Sequence, residues 1–405
     1  MMPLSWPLLS AYFLVGMLAI AFGKCPTQCR CTSLEVICSC KSGDSFILSE
    51  IPANHFTLSI SNCKKVRIHG TPFNRGSFDR FVIQDSSDVY IADISFFGVI
   101  LIRRLKFSNI ANLTLGSLYN LKTDIFEMDN VTIAVLDRGV IPGIAELKEV
   151  RITDSHIGVI RTGALHFQHE SLVDIIDTSM DHMEKNSTCI DQVQTFTIRN
   201  CHISSLDEDA INLMHVGKVV LSGTSIERLN EGSFLADSVG EMIIVRNVFS
   251  RVGSNAFYHM QNVVKLTMSE NWFLHVEPNG ILLYLEVVEP AFVIENNQFS
   301  CDCNLLWLYQ DSGYHKLDKF FNSTCLAPET LAGISLKDVT PLITVMDQCL
   351  GFKAIDEKSY TTRNGYAQRN TTVRALSVNS GENLGSSSAM FVTIFMFGFL
   401  RFACI

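Results

Sequence analysis

A repeat of about 23 residues runs from Leu58 to Phe299, and it restricts the fold of this chain more than any other feature. Each unit contains two apolar residues two positions apart, such as Val150 and Ile152. The pair occurs eleven times at intervals of 21 to 26 residues, with its first member at Leu58, Phe81, Leu105, Phe126, Val150, Val173, Phe196, Val219, Met242, Leu266 and Phe292. A period of this size indicates a solenoid, in which each unit buries its apolar side against its neighbours.

The spacing of apolar residues inside one unit predicts the path of the chain. Val150 and Ile152 alternate with polar residues, which predicts a short strand with both apolar side chains inward. Ile157 and Ile160 are three residues apart, and this spacing favours a turn followed by an arc rather than a second strand. Gly163 then begins the segment that returns to the next strand.

The sixth position of the unit, counted from the first apolar residue, is mostly small and polar. Its occupants are Cys63, Ser86, Ile110, Val131, Ser155, Thr178, Cys201, Thr224, Asn247, Asn271 and Asn297. The pattern resembles the leucine-rich repeat, L-x-x-L-x-L-x-x-N-x-L, in which a strand lines a horseshoe. That family places a buried Asn at this position, where its side chain bonds the backbone from turn to turn. Ser, Thr and Cys can replace it as donors, whereas Ile110 and Val131 cannot, so an irregular arc is expected there.

The resemblance implies an α/β solenoid, a leucine-rich-repeat horseshoe of about eleven repeats over residues 58–300. The first three units differ, because their second apolar pair is spaced by two, as at Val66 and Ile68. That spacing predicts a second short strand. A right-handed β-helix is therefore the alternative architecture for the N-terminal repeats.

Cysteine-rich segments flank the repeats and resemble the caps of extracellular leucine-rich-repeat proteins. The N-terminal cap, residues 24–57, contains Cys25-Pro-x-x-Cys29-x-Cys31 followed by Cys38. The resemblance implies the pairs Cys25–Cys31 and Cys29–Cys38, with Cys40 as a substitute for Cys38. The C-terminal cap spans residues 301–349, and there the resemblance implies the pairs Cys301–Cys325 and Cys303–Cys349.

Four cysteines within the N-terminal cap and the repeats have no partner implied by the resemblance, and their pairing is open: Cys40, Cys63, Cys189 and Cys201. An even number in an oxidising compartment favours the pairs Cys189–Cys201 and Cys40–Cys63. Alternatively, Cys63 and Cys201 are inert buried thiols at the sixth position. No Cys-x-x-Cys or Cys/His spacing indicates a metal site.

The termini predict a secreted protein held at the membrane. Residues 1–23 have the apolar stretch and small residues before the cleavage point of a signal peptide. Residues 350–379 are polar and are interpreted as a stalk. Small residues at Asn379, a polar spacer and a terminal apolar run predict GPI attachment at Asn379, with 380–405 removed. The alternatives are a single C-terminal transmembrane anchor, with Arg401 near the far interface, and a freely secreted protein. Five glycosylation sequons fit this compartment: Asn112, Asn130, Asn186, Asn322 and Asn370.

The sequence contains no catalytic or nucleotide-binding motif. The pair His166 and His169 and the acidic run Asp207–Asp209 are interpreted as exposed surface, and no exposed acid pair is visible on one face. A formal net charge of −9 disfavours nucleic acid as a partner. We therefore expect a non-enzymatic protein without cofactor, and a carbohydrate-active β-helix is the least favoured function.

The repeat register predicts a binding surface along the strands. The outward column between the apolar pairs is charged with alternating sign from Lys106 to Asp174 and becomes apolar towards the C-terminus. The predicted partner-binding residues are Val220, Ile243, Val245 and Val293, rimmed by Arg199 and Arg246. A glycan on Asn130 would confine the contact to this C-terminal half. The resemblance implies adhesion to, or recognition of, a cell-surface protein. A second copy of the same chain is one such partner. A structural spacer of the extracellular matrix is the alternative.

Overall fold

The protein is a parallel β-solenoid of about ten turns. The computed structural model describes residues 25–339 except for 42, 49–56, 71, 73–76, 94, 97–100, 119–120, 142–146, 258–259, 261, 282–290 and 311–321. The predicted signal peptide, the stalk, Asn370, Asn379 and the lipid-attachment segment lie outside these residues, and so does Cys349. Among the described residues, no helix has the length and apolar character needed to cross a bilayer.

The N-terminal part contains eight strands, of which the last three are long. They are β1 (Cys29–Cys31), β2 (Glu35–Ser39), β3 (Ser45–Leu48), β4 (Thr57–Ser61), β5 (Lys65–Ile68), β6 (Ser77–Ile91), β7 (Leu101–Leu115) and β8 (Thr123–Leu136). β1 pairs antiparallel with β2 and covers the first turn.

The middle part contains turns of three short strands each. They are β9 (Glu149–Thr153), β10 (His156–Ile160), β11 (Leu165–Gln168), β12 (Leu172–Ile176), β13 (Ser179–Met183), β14 (Thr188–Asp191), β15 (Thr195–Arg199), β16 (His202–Leu206), β17 (Ile211–Met214), β18 (Val216–Ser222), β19 (Ser225–Leu229) and β20 (Phe234–Ala236).

The C-terminal part continues the stack and ends in a short helical segment. Its strands are β21 (Val239–Val245), β22 (Val248–Val252), β23 (Val263–Ser269), β24 (Trp272–Phe273), β25 (Ala291–Glu295), β26 (Gln298–Ser300) and β27 (Thr324–Ala327). A 3-10 helix at Cys303–Leu306 leads into the helix α1 (Trp307–Gln310).

These strands form three walls, which we call face 1, face 2 and face 3. Face 1 contains the first strand of each turn, such as β9, β12 and β15, and face 2 contains the second, such as β10, β13 and β16. β6, β7 and β8 run through both faces without a break. Face 3 is a separate four-stranded sheet of β11, β14, β17 and β20.

The repeat stacks in register, as its constant period predicts. On face 1, Val150 pairs with Val173, which pairs with Phe196 and then Val219 in successive turns. These side chains point inward and are at most 4% exposed. A parallel ladder of this kind places each apolar residue directly against its counterpart about 4.8 Å away, which builds a continuous core.

The leucine-rich-repeat prediction is wrong, because the arc and return segment are also strands. Ile157 and Ile160 both lie inward in β10, although they are three residues apart. The pairing of β10 with β13 joins residues 156, 157, 159 and 160 to their partners and skips Gly158, so the strand bends there. The bend turns both isoleucines to the core, and a three-residue spacing therefore does not exclude a strand. The β-helix alternative, proposed for the N-terminal repeats alone, describes the whole solenoid.

The corner between faces 1 and 2 is a sharp turn made by one residue in the left-handed region. This residue is the fifth of each unit, with φ of 49° to 61°: Asn62, Asp85, Asn109, Asn130, Asp154, Asp177, Asn200, Gly223, Arg246, Glu270 and Asn296. Asn, Asp and Gly adopt this conformation most readily, which explains why they dominate the column.

The sixth residue follows each corner and forms the expected polar ladder. Asn271 Nδ2 donates to Ile244 O at 2.8 Å and to Asn297 Oδ1 at 2.9 Å, while its Oδ1 accepts from Asn247 N and Nδ2, both at 3.0 Å. Asn271 is fully buried, so these bonds satisfy groups that water cannot reach. The ladder is the feature shared with leucine-rich repeats.

The irregularity expected at Ile110 and Val131 begins just after these residues, where the pairing of β7 with β8 ends although both strands continue. The two residues pair directly between β7 and β8 and are 1% and 2% exposed. Two apolar side chains pack there inside the solenoid, while the long strands supply the backbone hydrogen bonds. Val131 N also donates to Ser155 Oγ at 3.1 Å.

Three cysteine pairs implied by the resemblance to capped ectodomains are present: Cys25–Cys31, Cys29–Cys38 and Cys301–Cys325. Cys40–Cys63, which the even number of cysteines favoured, is also a disulfide. Cys189 and Cys303 are also disulfide-bonded. The pair Cys189–Cys201, which the even number of cysteines favoured, is wrong, because Cys201 is a free, buried thiol, as the alternative interpretation expected. Register explains this: Cys189 occupies an outward position on face 3, whereas Cys201 lies in the inner ladder.

Candidate binding surface

The predicted apolar residues lie together on the outer side of face 1. Val220 pairs with Ile243, and the same outward column continues through Thr267 to Val293. Val245 stands beside Ile243 in the next outward column. Val220, Ile243 and Val245 are half-buried, and Val293 is 40% exposed. We call these four side chains the apolar strip. The register had predicted their alignment correctly, although the face belongs to a β-helix and not to the concave side of a horseshoe.

Charged side chains border the apolar strip on both sides. On one side, Glu241 Oε1 and Lys265 Nζ are 2.7 Å apart, and Glu241 Oε2 and Lys218 Nζ are 2.9 Å apart. The two lysines hold the pKa of Glu241 at about 2, first through the Lys265 bond and then through the Lys218 bond. On the other side, the predicted rim residues Arg199 and Arg246 are exposed.

The apolar surface continues round the corner onto face 2, which sequence reasoning missed. Val248 is half-buried just after the corner, and Trp272 pairs with it in the next turn. Trp272 is 47% exposed and Leu274 is 38% exposed. A signal was present in the sequence: Trp272 directly follows the ladder residue Asn271, so its side chain had to point away from the core.

The N-terminal half of face 1 is polar, and its charged side chains form ion pairs with one another. Arg104 and Arg151 lie 3.4 and 3.7 Å from the carboxylate of Glu127, and Lys106 lies 3.5 Å from Asp129. These pairs join successive turns and are partly exposed, so each contributes at most about 1 kcal/mol. The alternating column thus stabilises the stack without offering an apolar contact.

A polar groove runs along the corner between faces 1 and 2 in the middle of the solenoid. It has a volume of about 430 Å³, and its lining includes Asn130, Asp154, His156, Asp177, Asn200 and His202. Asp154 and Asp177 are exposed and occupy adjacent turns, so their carboxylates face the same groove. The expectation that no exposed acid pair lies on one face is therefore wrong: the stacking of the turns places residues 23 positions apart side by side, and at the corner both side chains are exposed.

Histidines on the outside of face 2 bridge successive turns. His156 Nδ1 lies 2.8 Å from Ser179 Oγ, and its Nε2 lies 3.6 Å from Asp181 Oδ2. The same arrangement occurs one turn later at His182, Ser205 and Asp207. The residue types are those of a Ser-His-Asp triad, but the His156 and Asp181 side chains are 43% and 57% exposed on an open sheet. Such a surface does not exclude water from a reacting group, so we interpret these contacts as links between turns.

The other predicted polar residues lie at the corners and outer surface. His166 points outward from β11, where burial lowers its pKa, and His169 is exposed at the next corner. Lys185 Nζ lies 3.0 Å from Glu208 and 3.3 Å from Asp209, which raises the lysine pKa through hydrogen bonds to both carboxylates. In the described ranges, no three His, Cys, Asp or Glu side chains converge as a metal site requires.

The described sequons differ in accessibility. Asn112, Asn130 and Asn322 are exposed, whereas Asn186 is half-buried. Asn130 Nδ2 donates to Asn109 Oδ1 at 3.0 Å along the corner. A glycan at Asn130 would stand at one end of the polar groove and leave the apolar strip uncovered.

Glu170 is an unexpected buried carboxyl group. It is 3% exposed, and Oε2 has no hydrogen-bond partner among the described residues. The equivalent residues of neighbouring turns are Leu147, Val193, Val216, Val239 and Val263. Burial raises the pKa of Glu170 to about 7.

Comparison with known proteins agrees with the architecture. A family model described as a right-handed beta helix region matches residues 143–314. None of the curated proteins compared with the chain matches its sequence. A chain in the solved octameric complex of Latrophilin 3, Unc5D and FLRT2 aligns with 78% of this chain and 97% of its own length, at 15% identity and a TM-score of 0.34. A likeness of that size carries no argument. The family match and the parallel strands of all three faces together replace the leucine-rich-repeat prediction with a β-helix.

Proposed function

We propose that this chain is a non-catalytic recognition protein of the cell surface that binds an extracellular protein through the apolar strip. The observation that supports this function is the alignment of Val220, Ile243, Val245 and Val293 on an open sheet, continued by the exposed Trp272. Protein interfaces place aliphatic and aromatic side chains at a dry centre and charges at the rim. Full burial of one such side chain contributes about 1.5–3 kcal/mol.

The compartment in this proposal is the outer face of the plasma membrane. The disulfides fit an oxidising environment. A signal peptide over residues 1–23 and a GPI lipid at Asn379 remain part of the proposal. Treatment of expressing cells with phosphatidylinositol-specific phospholipase C tests the anchor: release of the chain supports the lipid, and full retention contradicts it.

A binding experiment with Ile243→Asp tests the proposed function. Fluorescent beads coated with the full chain, purified from animal cells, are applied to a panel of cell types and counted by flow cytometry. Ile243→Asp should reduce bead binding at least tenfold, because a charge in the dry centre of an interface has no partner. Val135→Asp is the matched control, since Val135 is 39% exposed on face 2 and lies outside the strip.

The two variants distinguish recognition from the alternative role. Equal secretion and equal denaturation midpoints for both variants would show that the fold is intact. Unchanged bead binding by Ile243→Asp, or wild-type beads that bind no cell type, would contradict recognition through the strip. Either result would favour the structural spacer of the extracellular matrix.

A saccharide ligand in the polar groove is the second candidate, and the acid pair Asp154 and Asp177 favours it. Hydroxyl-rich ligands need many donors and acceptors, and the groove offers carboxylates, amides and imidazoles in successive turns. The double variant Asp154→Asn, Asp177→Asn should abolish retention on a glycan array if this candidate is correct. Equal retention of the wild type and the double variant on the array would exclude a saccharide ligand in this groove.

A further inference from the structure

We infer that the partner of the apolar strip presents acidic side chains around an apolar centre. This inference rests on the proposed function and adds the chemistry of the partner. The relevant surface is the outer side and corner of the five turns that carry the strip, residues 195–200, 216–223, 239–246, 263–270 and 291–296. It contains Arg199, Lys218, Arg246 and Lys265 against Glu241, Glu270 and Glu295, so its formal charge is 4 − 3 = +1, while the whole chain carries −9.

The four cations differ in their availability to a partner. Lys218 and Lys265 both bond Glu241, so these three groups act as one fixed unit of charge +1. Arg199 and Arg246 are exposed and form no ion pair in the part of the chain that the structure describes. An unpaired guanidinium beside an apolar surface can bond a carboxylate of a partner with two parallel N–H groups.

The turn between the two arginines carries only small residues at its end. The intervening turn has Ser222, which is 7% exposed, and Gly223 at the corner with φ of 61°. A Cβ on Gly223 would lie 2.5 Å from Asn200 Oδ1, so this corner cannot carry a larger side chain without moving its neighbour. Arg199 belongs to the turn before and Arg246 to the turn after, about 10 Å apart along the stack at the strand spacing. Arg199 lies in the same outward column as Val245, and Arg246 directly follows Val245 at the corner, so both arginines stand beside the apolar strip.

The combination favours an acidic protein over other polyanions. A sulfated glycan would use the arginines but would gain little from four aliphatic side chains, because sugars and sulfates are hydrated. A protein with carboxylates around an aliphatic or aromatic knob uses both parts of the surface. Rim charges of this kind mainly accelerate association and make binding depend on salt.

Charge reversal of the two exposed arginines beside the strip tests the inference with the bead assay. Beads carrying Arg199→Glu with Arg246→Glu should bind cells about tenfold less at 30 mM salt in isotonic sucrose, and the loss should shrink at 150 mM salt. Glu270→Lys should increase binding under the same conditions. Arg80→Glu is the matched control, because Arg80 is exposed in β6 at the distant end of face 1.

The outcomes separate the inference from the proposed function. If Ile243→Asp abolishes binding while the arginine reversal has no effect or increases it, the inference of an acidic partner is wrong, whereas the proposed binding through the strip is supported. Binding that survives cell-surface proteolysis but is lost after glycosaminoglycan lyases would identify a polyanionic glycan and overturn the inference. Beads that aggregate with one another, in a manner abolished by Ile243→Asp, would identify a second copy of this chain and overturn it as well. If Ile243→Asp leaves bead binding unchanged, the proposed function fails together with the inference.

Discussion

Replacement of Glu170 by Gln should change the pH dependence of stability by an amount that the structure sets. The folded-state pKa of about 7 exceeds the ordinary value of 4.5 by 7 − 4.5 = 2.5 units. One unit corresponds to about 1.36 kcal/mol, so ionisation of this carboxyl group costs the fold roughly 3 kcal/mol. The cause is burial among aliphatic residues, with Leu147 and Val193 at the equivalent positions of the adjoining turns.

The sign of the effect follows from the two states of the chain. Below pH 4.5 Glu170 is neutral in both the folded and the unfolded chain, and it imposes no penalty. Between pH 4.5 and 7 the unfolded chain ionises while the folded chain retains the proton, so the free energy of unfolding falls. Above pH 7 the loss is complete, because both states are then ionised.

Guanidinium denaturation of wild type and Glu170→Gln at pH 4.5 and pH 8, with disulfides intact, measures this difference. The stability difference between the two proteins should grow by about 3 kcal/mol in favour of the variant between these pH values. The amide introduced by Glu170→Gln is buried and also lacks hydrogen-bond partners. Its cost is the same at pH 4.5 and pH 8, so it cancels when the stability differences at the two pH values are compared. Glu241→Gln is the control: the pKa of Glu241 is about 2, so its contribution to stability varies with pH mainly below pH 4.5, and its removal should have nearly the same effect at pH 4.5 and pH 8. Parallel pH curves for wild type and Glu170→Gln would refute the reasoning.

Three further predictions concern the core. Asn271→Leu should lower the free energy of unfolding by about 3–5 kcal/mol, measured by urea denaturation, because it removes the partners of Ile244 O and Asn247 N and one of the two bonds to Asn297 Oδ1; a loss below 1 kcal/mol would contradict the role of the ladder. Phe273→Ala should cost about 3–5 kcal/mol in the same assay, since its ring stacks on Phe249 at 5.0 Å and Phe299 at 4.7 Å and is fully buried. Burial raises the pKa of the Cys201 thiol to about 11, so iodoacetamide at pH 8 should label it only after denaturation, as read by peptide mass; rapid labelling of the native protein would show that the thiol is exposed.

The apolar strip shows how far a repeat register leads. Val220, Ile243 and Val293 were placed in one column from their positions in the unit, because strands of constant period stack residue on residue. Trp272 was missed because the segment after the sixth position was interpreted as an arc and not as a strand, so no outward column was assigned there. The acid pair Asp154 and Asp177 occupies equivalent positions of adjacent units, and its exposure at the left-handed corner came only from the structure.

Glu170 marks another limit of sequence reasoning. A charged residue among valines at equivalent positions of a repeat is ordinarily interpreted as a surface substitution. Its burial depends on how the corner after face 3 closes against the following turn, and no local pattern reports that closure. The sequence offered only the column itself, in which Glu170 stands among Leu147, Val193, Val216 and their later counterparts.

The sequence by itself determined the period, the inward anchors, the polar ladder and the outward columns, because stacked repeats bury equivalent residues in equivalent places. It could not determine the cross-section. A horseshoe and a β-helix bury the same first strand, and they differ in the segment that returns to the next turn. In this protein that segment forms strands such as Leu165–Gln168 and Ile211–Met214, whose partners lie one turn away. Only tertiary structure supplies those partners, since a strand gains its hydrogen bonds from a neighbour and not from its own sequence.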